Sequence, residues 1–337
     1  MMKPRIAVGS LGGTITMTSG RGVGITPALD AGLLLSAVPG LGAIASLEAK
    51  TLAALPGASL GFDDVLGALA WARGAVDDGA QGVVLVQGTD TLEETAYLLD
   101  LFWNRPEPLV VTGAMRSPEQ AGADGPANLM ASVRTAAHPA SRDLGVLVSM
   151  NDEVHAAARV AKSDSMGLDA FRSPVFGPLA RLVEGVPVYG NRPPRHPFLP
   201  FSSTAPHPRV ALLTTHLADR GELLDAVMDV GCDGVVLAAF GAGHVPAPVA
   251  EAVGKAAGRL PVVLATRTGA GPTAEHTYGF VGSETDLISR GAVPAGWLSA
   301  AKARLLLWSL LRLGCSHSRI RAEFALRGGN PGGPDNR

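Results

Sequence analysis

The sequence predicts an α/β fold built on parallel sheets, because short apolar runs rich in β-branched residues alternate with longer amphipathic segments. The runs predict seven strands, at Ile6–Gly9, Val83–Gln87, Leu109–Thr112, Gly145–Met150, Val210–Thr214, Val235–Ala239 and Val262–Ala265. They are apolar throughout, which is typical of parallel strands that are covered on both faces. The segments between them predict helices at Asp63–Asp78, Leu92–Trp103, Asn128–Ala137 and Glu222–Val230.

The chain of 337 residues is long enough for two domains. A proline-rich stretch from Gly190 to Arg209 interrupts the alternation of strands and helices and predicts a connection between domains. We therefore predict an N-terminal domain over residues 1–190, a linker over 191–208 and a C-terminal domain over 209–326. Residues 327–337, rich in glycine and proline, predict a disordered tail.

Composition excludes several classes of partner. With 47% hydrophobic and 17% charged residues the chain can bury a sizeable core, and a net charge of −2 without basic runs predicts no nucleic-acid or membrane partner. The first apolar stretch is broken by glycine, unlike a signal peptide, and no run reaches the length of a membrane helix. Two distant cysteines, Cys232 and Cys315, fit a reducing compartment, so we expect a cytoplasmic protein.

A glycine-rich turn, Gly-Ser-Leu-Gly-Gly-Thr-Ile at residues 9–15, follows the first predicted strand. Glycines there allow a sharp bend and bring backbone N–H groups close to a ligand. The turn lacks the lysine of a phosphate loop and the spacing of a dinucleotide site. What remains is the hydroxyl of Thr14 at a strand end. Taken alone, a purely structural turn explains the pattern equally well.

A second group of polar residues, which includes Thr89 and Asp90, follows the predicted strand that ends at Gln87. Helix capping alone accounts for one hydroxyl and one carboxylate, and for an isolated Thr-Asp-Thr it is the preferred interpretation. It does not explain why the pair lies at a strand carboxyl end, where α/β proteins bind ligands. Lys162 alone is interpreted as a solvated surface charge. Close to Thr89 and Asp90, its positive charge would lower the pKa of a hydroxyl or keep the carboxylate ionised.

Taken together, four ordered motifs resemble the bacterial-type L-asparaginase/glutaminase family, from Pro4 to about Leu313. They are Gly-Gly-Thr-Ile (12–15), Gly-Thr-Asp-Thr-Leu-Glu-Glu-Thr (88–95), Gly-Ala-Met-Arg (113–116) with Ala-Asp-Gly-Pro-Ala-Asn (123–128), and Lys162. The resemblance, closest to intracellular members, implies a flavodoxin-like N-terminal domain and a smaller C-terminal α/β domain. It also implies an amidohydrolase that converts L-asparagine to L-aspartate and ammonia without a metal or organic cofactor.

The resemblance also implies roles for individual residues. Thr14 would be the nucleophile that forms an acyl-enzyme, and Thr89 would form a catalytic set with Lys162 and Asp90. Asp90 would also bind the α-amino group of the substrate. Backbone N–H groups around Gly88, Thr89 and Ala114 would stabilise the oxyanion.

One further residue, Glu284, has the spacing of a glutamate that reaches into the active site of a neighbouring subunit in this family. That role would make the active unit a homodimer or homotetramer. An ordinary surface glutamate is an equally good interpretation of the position.

The chain departs from the family pattern mainly at the substrate end. Gln87 stands where the family usually has histidine, and of the polar pair for the substrate carboxylate, Ala58 and Ser59 keep only the Ser59 hydroxyl. The loop after Thr14 lacks the tyrosine that many members use. His244 replaces an asparagine that lines the site, as a substrate contact or as a residue that starts a helix.

These departures predict amide hydrolysis with altered recognition of free asparagine. Arg21 or Arg116 would then supply the lost contacts to the substrate carboxylate, since arginine binds carboxylates with two parallel hydrogen bonds. Two alternatives stay open: an amidase for glutamine, D-asparagine or an N-substituted amide, and a non-catalytic amino-acid sensor on the same fold.

Overall fold

The computed structural model describes residues 3–13, 31–202 and 204–329, and the backbone of two short strands, Met17–Ser19 and Ile25–Pro27. The chain divides into two compact units, Met1–Leu199 and Pro200–Arg337. The division falls within the proline-rich connection, where the described part of residues 191–208 has neither helix nor strand. Across the described ranges, no helix combines the length and the apolar content that a membrane crossing needs.

The N-terminal unit contains a mixed sheet of eight strands and five α-helices among its described residues. Its strands are β1 (Arg5–Gly12), β2 (Met17–Ser19), β3 (Ile25–Pro27), β4 (Ser46–Leu55), β5 (Gly82–Val86), β6 (Leu109–Thr112), β7 (Val146–Met150), β8 (Glu153–Ala156), β9 (Ala161–Lys162), β10 (Phe171–Arg172), β11 (Ala180–Val183) and β12 (Val186–Tyr189). Its helices are α1 (Ala31–Ser36), α2 (Leu41–Ile44), α3 (Phe62–Asp77), α4 (Leu92–Phe102) and α5 (Gly125–Ala137).

The large sheet has the strand order β12-β11-β8-β7-β6-β5-β1-β4. The five strands from β4 to β7 are parallel, and β8, β11 and β12 extend the sheet in antiparallel pairs. The parallel part runs β4-β1-β5-β6-β7. If these five strands are renumbered 1 to 5 by their position in the chain, their order is 2-1-3-4-5, which confirms the predicted flavodoxin-like domain. Strand order reverses between β1 and β5, so the carboxyl ends of these two strands border the crevice where such sheets bind ligands.

The predicted strands of this unit are confirmed as β1, β5, β6 and β7. They were recognisable in the sequence because their side chains are buried on both faces. Every residue of β5, β6 and β7 is buried, as expected for the centre of a parallel sheet. The edge strand β4 and the antiparallel extension were not predicted from the sequence. Residues of β4 are exposed or half-buried, so its sequence mixes polar and apolar side chains and lacks a continuous apolar run.

The C-terminal unit contains a parallel sheet with the order β13-β14-β15-β16. Its elements are β13 (Val210–Thr214), α6 (Glu222–Asp229), β14 (Gly234–Ala239), α7 (Ala247–Ala257), β15 (Val262–Thr266), α8 (Glu284–Ser289), β16 (Val293–Pro294), α9 (Ala300–Arg312) and α10 (His317–Gly328). The three predicted strands are confirmed. The predicted domain end at residue 326 falls inside α10, which continues to Gly328 and ends where Gly329 adopts a positive φ of 63°. Residues 330–337 lie outside the described part.

Candidate active site

The hydroxyl of Thr89 and the amine of Lys162 meet at the carboxyl end of the large sheet. Lys162 Nζ lies 2.9 Å from Thr89 Oγ1 and 3.5 Å from Asp90 Oδ1. Thr89 is 6% exposed, whereas the side chain of Asp90 is 59% exposed. The Lys162–Asp90 pair is therefore solvated and weak, and the contact with Thr89 is the better shielded of the two. The fold thus brings together three of the residues that the sequence singled out.

Two local structures hold these side chains in place. Thr89 and Asp90 lie between β5 and α4, and Lys162 lies on β9, where it pairs with Phe171 of β10. The backbone N–H of Lys162 also reaches Glu93 Oε1 in the first turn of α4, at 3.4 Å. Because β9 has only two residues, this link to α4 helps to fix where the amine points. From the sequence, Glu93 was interpreted only as a first-turn residue favoured by the helix dipole.

Three glycines allow the loops after β1, β4 and β5 to touch. A Cβ atom on Gly13, whose φ is 92°, would lie 2.1 Å from the backbone nitrogen of Gly88. A Cβ atom on Gly88 would lie 2.7 Å from the nitrogen of Gly57. No side chain fits at these contacts, so the three loops can approach this closely only with glycine. Gly13 immediately precedes Thr14, and Gly88 immediately precedes Thr89.

The loop after β6 is held by two side chains from the start of α5. Both carboxylate oxygens of Asp124 accept backbone N–H groups, from Met115 at 2.9 Å and from Arg116 at 2.8 Å. Asn128, which is buried, donates to the carbonyl of Gly113 at 3.0 Å. These bonds explain the Ala-Asp-Gly-Pro-Ala-Asn motif, to which sequence reasoning gave no function. They fix the peptide of Ala114.

Three backbone N–H groups around this point have no acceptor among the described residues. Within the described ranges, those of Gly88, Thr89 and Ala114 donate to no other residue. Buried N–H groups without a partner are rare in folded proteins and often mark sites that bind an anion or an oxyanion.

Comparison with known proteins identifies the family to which this arrangement belongs. The sequence profile described as "Asparaginase, N-terminal" matches residues 5–195, and the "Glutaminase/Asparaginase C-terminal domain" profile matches residues 209–324. The chain belongs to the asparaginase family. This membership makes it an amidohydrolase-type protein and agrees with the resemblance inferred from the motifs.

Relatives and solved structures of the asparaginase family match nearly the whole chain. A "Probable L-asparaginase" of Deinococcus radiodurans is 37% identical over 327 residues, which are 95% of this chain and 97% of the relative. A "Probable L-asparaginase periplasmic" of Haemophilus influenzae is 34% identical over 313 residues, 90% of this chain and 87% of the relative. The crystal structure of a probable cytoplasmic L-asparaginase from Campylobacter jejuni superposes with a TM-score of 0.87 at 31% identity, covering 96% of this chain and 99% of that one.

The substrate end of this asparaginase-family site is only partly described. Thr14 and Arg21 lie outside the described residues. Ser59 is exposed, in a short 3₁₀ turn after β4. Arg116 donates through Nη1 to the carbonyls of Ala121 and Gly122, at 3.3 and 3.2 Å. This nitrogen is therefore used within its own loop, which weakens the interpretation of Arg116 as a substrate ligand.

Glu284, for which the sequence left open a role in a neighbouring subunit, is hydrogen-bonded inside its own unit. Its side chain is fully buried, and Oε1 accepts the N–H groups of Thr277 and Tyr278, both at 2.7 Å. Oε2 lies 3.2 Å from His244 Nε2. Both oxygens are engaged inside their own unit, and the role of Glu284 in a neighbouring active site stays a prediction.

This burial has an electrostatic consequence. Burial raises the pKa of the Glu284 carboxyl, but hydrogen bonds from Tyr278, Thr277 and His244 outweigh it and hold the pKa below its ordinary value. The ring of His244 packs edge-on against Tyr278 and Phe280, with centroids 4.6 and 5.2 Å apart. Helix α7 starts only at Ala247, so His244 is not a helix-start residue. Its contact with substrate stays a prediction.

Proposed function

We propose that this protein hydrolyses the side-chain amide of L-asparagine, giving L-aspartate and ammonia. The observation that carries the proposal is the Thr89–Lys162–Asp90 arrangement at the carboxyl end of the sheet, with the amine 2.9 Å from the hydroxyl. A hydroxyl is a weak nucleophile at neutral pH and needs a group that takes its proton. A buried hydroxyl bonded to an amine meets that need. L-Asparagine is the proposed substrate because the relatives are named as L-asparaginases.

Thr14 is the proposed nucleophile. Its oxygen attacks the amide carbon, the C–N bond breaks, and ammonia leaves with the proton released by the hydroxyl. Water then attacks the resulting ester, which returns the Thr14 hydroxyl and releases L-aspartate, so one water is consumed for each amide. The close contact between Gly13 and Gly88 supports this assignment. Thr14 follows Gly13 in the chain and Thr89 follows Gly88, so both threonines are one residue from the same contact.

Thr89, Lys162 and Asp90 are proposed to move the protons in both steps. Lys162 exchanges a proton with Thr89, which lets Thr89 activate the attacking oxygen. Asp90, the more exposed of the three, binds the α-amino group of the substrate. The N–H groups of Thr89 and Ala114 stabilise the oxyanion, and each such donor lowers the barrier by roughly 3 kcal/mol.

Ammonia release from L-asparagine tests this proposal. The wild-type protein is expected to turn the substrate over, and Thr89→Val and Thr14→Ala are each expected to lower kcat at least about 100-fold. Thr51→Val, a change on the edge strand β4, serves as a control for general effects of removing a hydroxyl. Folding is checked by circular dichroism. Wild-type turnover that survives Thr89→Val would refute the proposed catalytic set.

A second candidate is hydrolysis of another small amide, favoured because few of the described residues offer a side chain to a substrate carboxylate. The turn after β4 offers only the hydroxyl of Ser59, and Arg116 is engaged with its own loop. L-Glutamine, D-asparagine and N-substituted amides are therefore assayed beside L-asparagine. Thermal stabilisation by an amino acid without turnover of any amide would instead identify a sensor.

We also propose that the protein is a homodimer or homotetramer. The C-terminal unit exposes Tyr278, Phe280 and Val281 close together in sequence, each at least 43% accessible. Clustered exposed apolar side chains mark surfaces that a partner covers. Light scattering should give a mass of two or four times the 34.4 kDa of the chain. A monomer mass at assay concentration would contradict the proposal.

The proposed compartment is the cytoplasm. Cys232 and Cys315 are both free thiols and partly exposed, which suits a reducing environment. The similar structure from Campylobacter jejuni is named cytoplasmic, whereas the Haemophilus influenzae relative is named periplasmic. Fractionation of the source cells distinguishes the two, and recovery with the periplasmic fraction would contradict the proposal.

A further inference from the structure

The side chain of Gln87 is hydrogen-bonded to the loop that carries Thr89. Gln87 follows β5 and is 0% exposed. Its Nε2 lies 3.2 Å from the carbonyl oxygen of Gly88 and 3.5 Å from Thr91 Oγ1. Thr91 Oγ1 in turn donates to the carbonyl oxygen of Gly57 at 2.8 Å. The buried amide thus bonds within the loop after β5, and the Thr91 hydroxyl links that loop to the one after β4.

The hydrogen-bond network fixes which way this amide points. A hydroxyl has one hydrogen, and that of Thr91 is used by the carbonyl of Gly57. Thr91 can therefore only accept from Gln87, and the carbonyl of Gly88 likewise only accepts. The atom that faces both must be the nitrogen Nε2, because an oxygen in its place would face two acceptors.

This orientation leaves the amide oxygen of Gln87 buried without a hydrogen bond to any other described residue. A buried polar atom in that state destabilises a fold, because it has lost its hydrogen bonds to water. An apolar side chain of similar size would avoid this cost but would leave the Gly88 carbonyl without its donor. The donor Nε2 is therefore the group of this side chain that has a structural use.

We propose that Gln87 is a positioning residue for Thr89, an inference that rests on the proposed function. The carbonyl of Gly88 and the N–H of Thr89 belong to one planar trans peptide and point in opposite directions. A hydrogen bond that holds the Gly88 carbonyl therefore also sets the direction of the Thr89 N–H. The same peptide places the Thr89 side chain against Lys162. Gln87 acts on oxyanion donor and hydroxyl together, without contact to the substrate.

The test compares activity with stability in Gln87→Met, which keeps the length of the side chain and removes both amide groups. We expect the melting temperature to change little, because removal of the unpaired oxygen offsets the loss of the hydrogen bond to the Gly88 carbonyl. We expect kcat to fall about tenfold to 100-fold with little change in KM, since misplacement of a reacting group by about 1 Å has effects of this size. Gln87→His retains a donor and should keep more of the activity than Gln87→Met.

Thr215→Val is the matched control. Thr215 lies in the C-terminal unit, is buried, and has a hydroxyl that makes no hydrogen bond to the described residues. Its replacement also removes a buried unpaired oxygen with little change of shape. We expect an equal or larger gain in stability than in Gln87→Met and no change in kcat, which separates relief of an unpaired oxygen from loss of positioning.

Crystal structures of the wild type and of Gln87→Met give a readout that needs no turnover. The proposal predicts a rotated Gly88–Thr89 peptide and a separation between Thr89 Oγ1 and Lys162 Nζ that exceeds the 2.9 Å seen here. An unmoved peptide, an unchanged kcat, or a parallel loss of stability and activity would each overturn it. So would failure of both Gln87→Met and Gln87→Leu to fold. A wild type that hydrolyses no amide would refute the proposed function, and the peptide orientation would still decide the positioning role.

Discussion

At the residue scale, Lys162 has two possible contributions to catalysis, a positive charge and a site that exchanges protons. Its amine contacts the Thr89 hydroxyl more closely than the Asp90 carboxylate. This geometry favours proton exchange with Thr89 over simple charge neutralisation of Asp90. The two contributions can be separated because arginine keeps the charge and does not release its proton in proteins.

Lys162→Arg is therefore predicted to be almost as inactive as Lys162→Met. We expect kcat for ammonia release to fall at least about 100-fold in both variants, the usual range for loss of a proton-transfer group. KM should change less in Lys162→Arg, because the charge beside Asp90 is kept. Near-normal turnover by the arginine variant would show that charge alone is required.

Glu284 gives a prediction about pH and stability. Its pKa is lower in the folded protein than the ordinary value of 4.5, so the unfolded chain binds the proton more readily. The stabilisation from the ionised carboxylate is therefore complete above about pH 4.5 and is lost as the pH falls through the lower, folded pKa. Glu284→Gln should be destabilised at pH 7, with a deficit that shrinks below pH 4.5.

Urea unfolding at several pH values measures this difference in the free energy of unfolding. Glu251→Gln, an exposed glutamate of α7, is the control and should show little effect at any pH. A deficit for Glu284→Gln that stays constant down to pH 3 would contradict the account, because the ionised carboxylate would then not be its source.

Residue roles differed in how well the sequence predicted them. Lys162 lies more than 70 positions from Thr89, so no local pattern connects them, and only the ordered motifs of the family suggested that they meet. Glu284 was singled out by spacing alone, and its burial was not foreseen because spacing does not report burial. The role of Gln87 depends on which atom of a buried amide faces which carbonyl, and this requires coordinates.

At the element scale, the approach of three loops at the sheet end depends on glycine. We predict that Gly57→Ala lowers kcat about 100-fold, because its Cβ atom would lie 2.9 Å from the Gly88 carbonyl oxygen and push the Thr89 loop away. Gly67→Ala in α3 is the control, since nothing lies within 4 Å of its Cβ position. It should raise the free energy of unfolding by about 0.5–1 kcal/mol and leave activity unchanged.

Normal activity in Gly57→Ala would contradict the prediction that the loops need glycine at this contact. Loops that tolerate the extra methyl group would not need the close approach that the structure shows. Steady-state kinetics and urea unfolding on both variants provide the comparison.

The loop after β6 gives a second prediction at this scale. Asp124→Ala removes the acceptor for the N–H groups of Met115 and Arg116, so the peptide of Ala114 loses its support. We expect kcat to fall about tenfold to 100-fold, and Asp124→Asn, which keeps one acceptor oxygen, to lie between the alanine variant and the wild type. Equal activity of all three proteins would show that Ala114 is held by other contacts.

Prediction of elements depended on burial. Strands at the centre of each sheet are apolar on both faces, so β5, β6 and β7 were recognisable in the sequence. The edge strand β4 is solvated on many positions and gave no such signal. Helix α10 is largely polar, and its last turn was therefore mistaken for the start of a disordered tail.

At the scale of the whole molecule, strand order connects the fold with the proposed chemistry. The switch point between β1 and β5 brings the turn before Thr14 and the loop with Thr89 to the same edge of the sheet. The sequence predicted parallel strands and the motifs after them. It could not predict the antiparallel extension β8, β11 and β12, because hairpin pairing depends on register and not on composition.

The central claim is that a threonine at this edge forms an ester with the substrate. Its most direct test is mass spectrometry of the protein quenched in acid during turnover of L-asparagine. The account predicts an aspartyl ester on the wild-type peptide that contains Thr14. The ester should be absent in Thr14→Ala. In Thr89→Val it should accumulate only if the ester forms faster than it is hydrolysed. Ammonia release with no ester in the wild type at any quench time, or an ester on another residue, would contradict it.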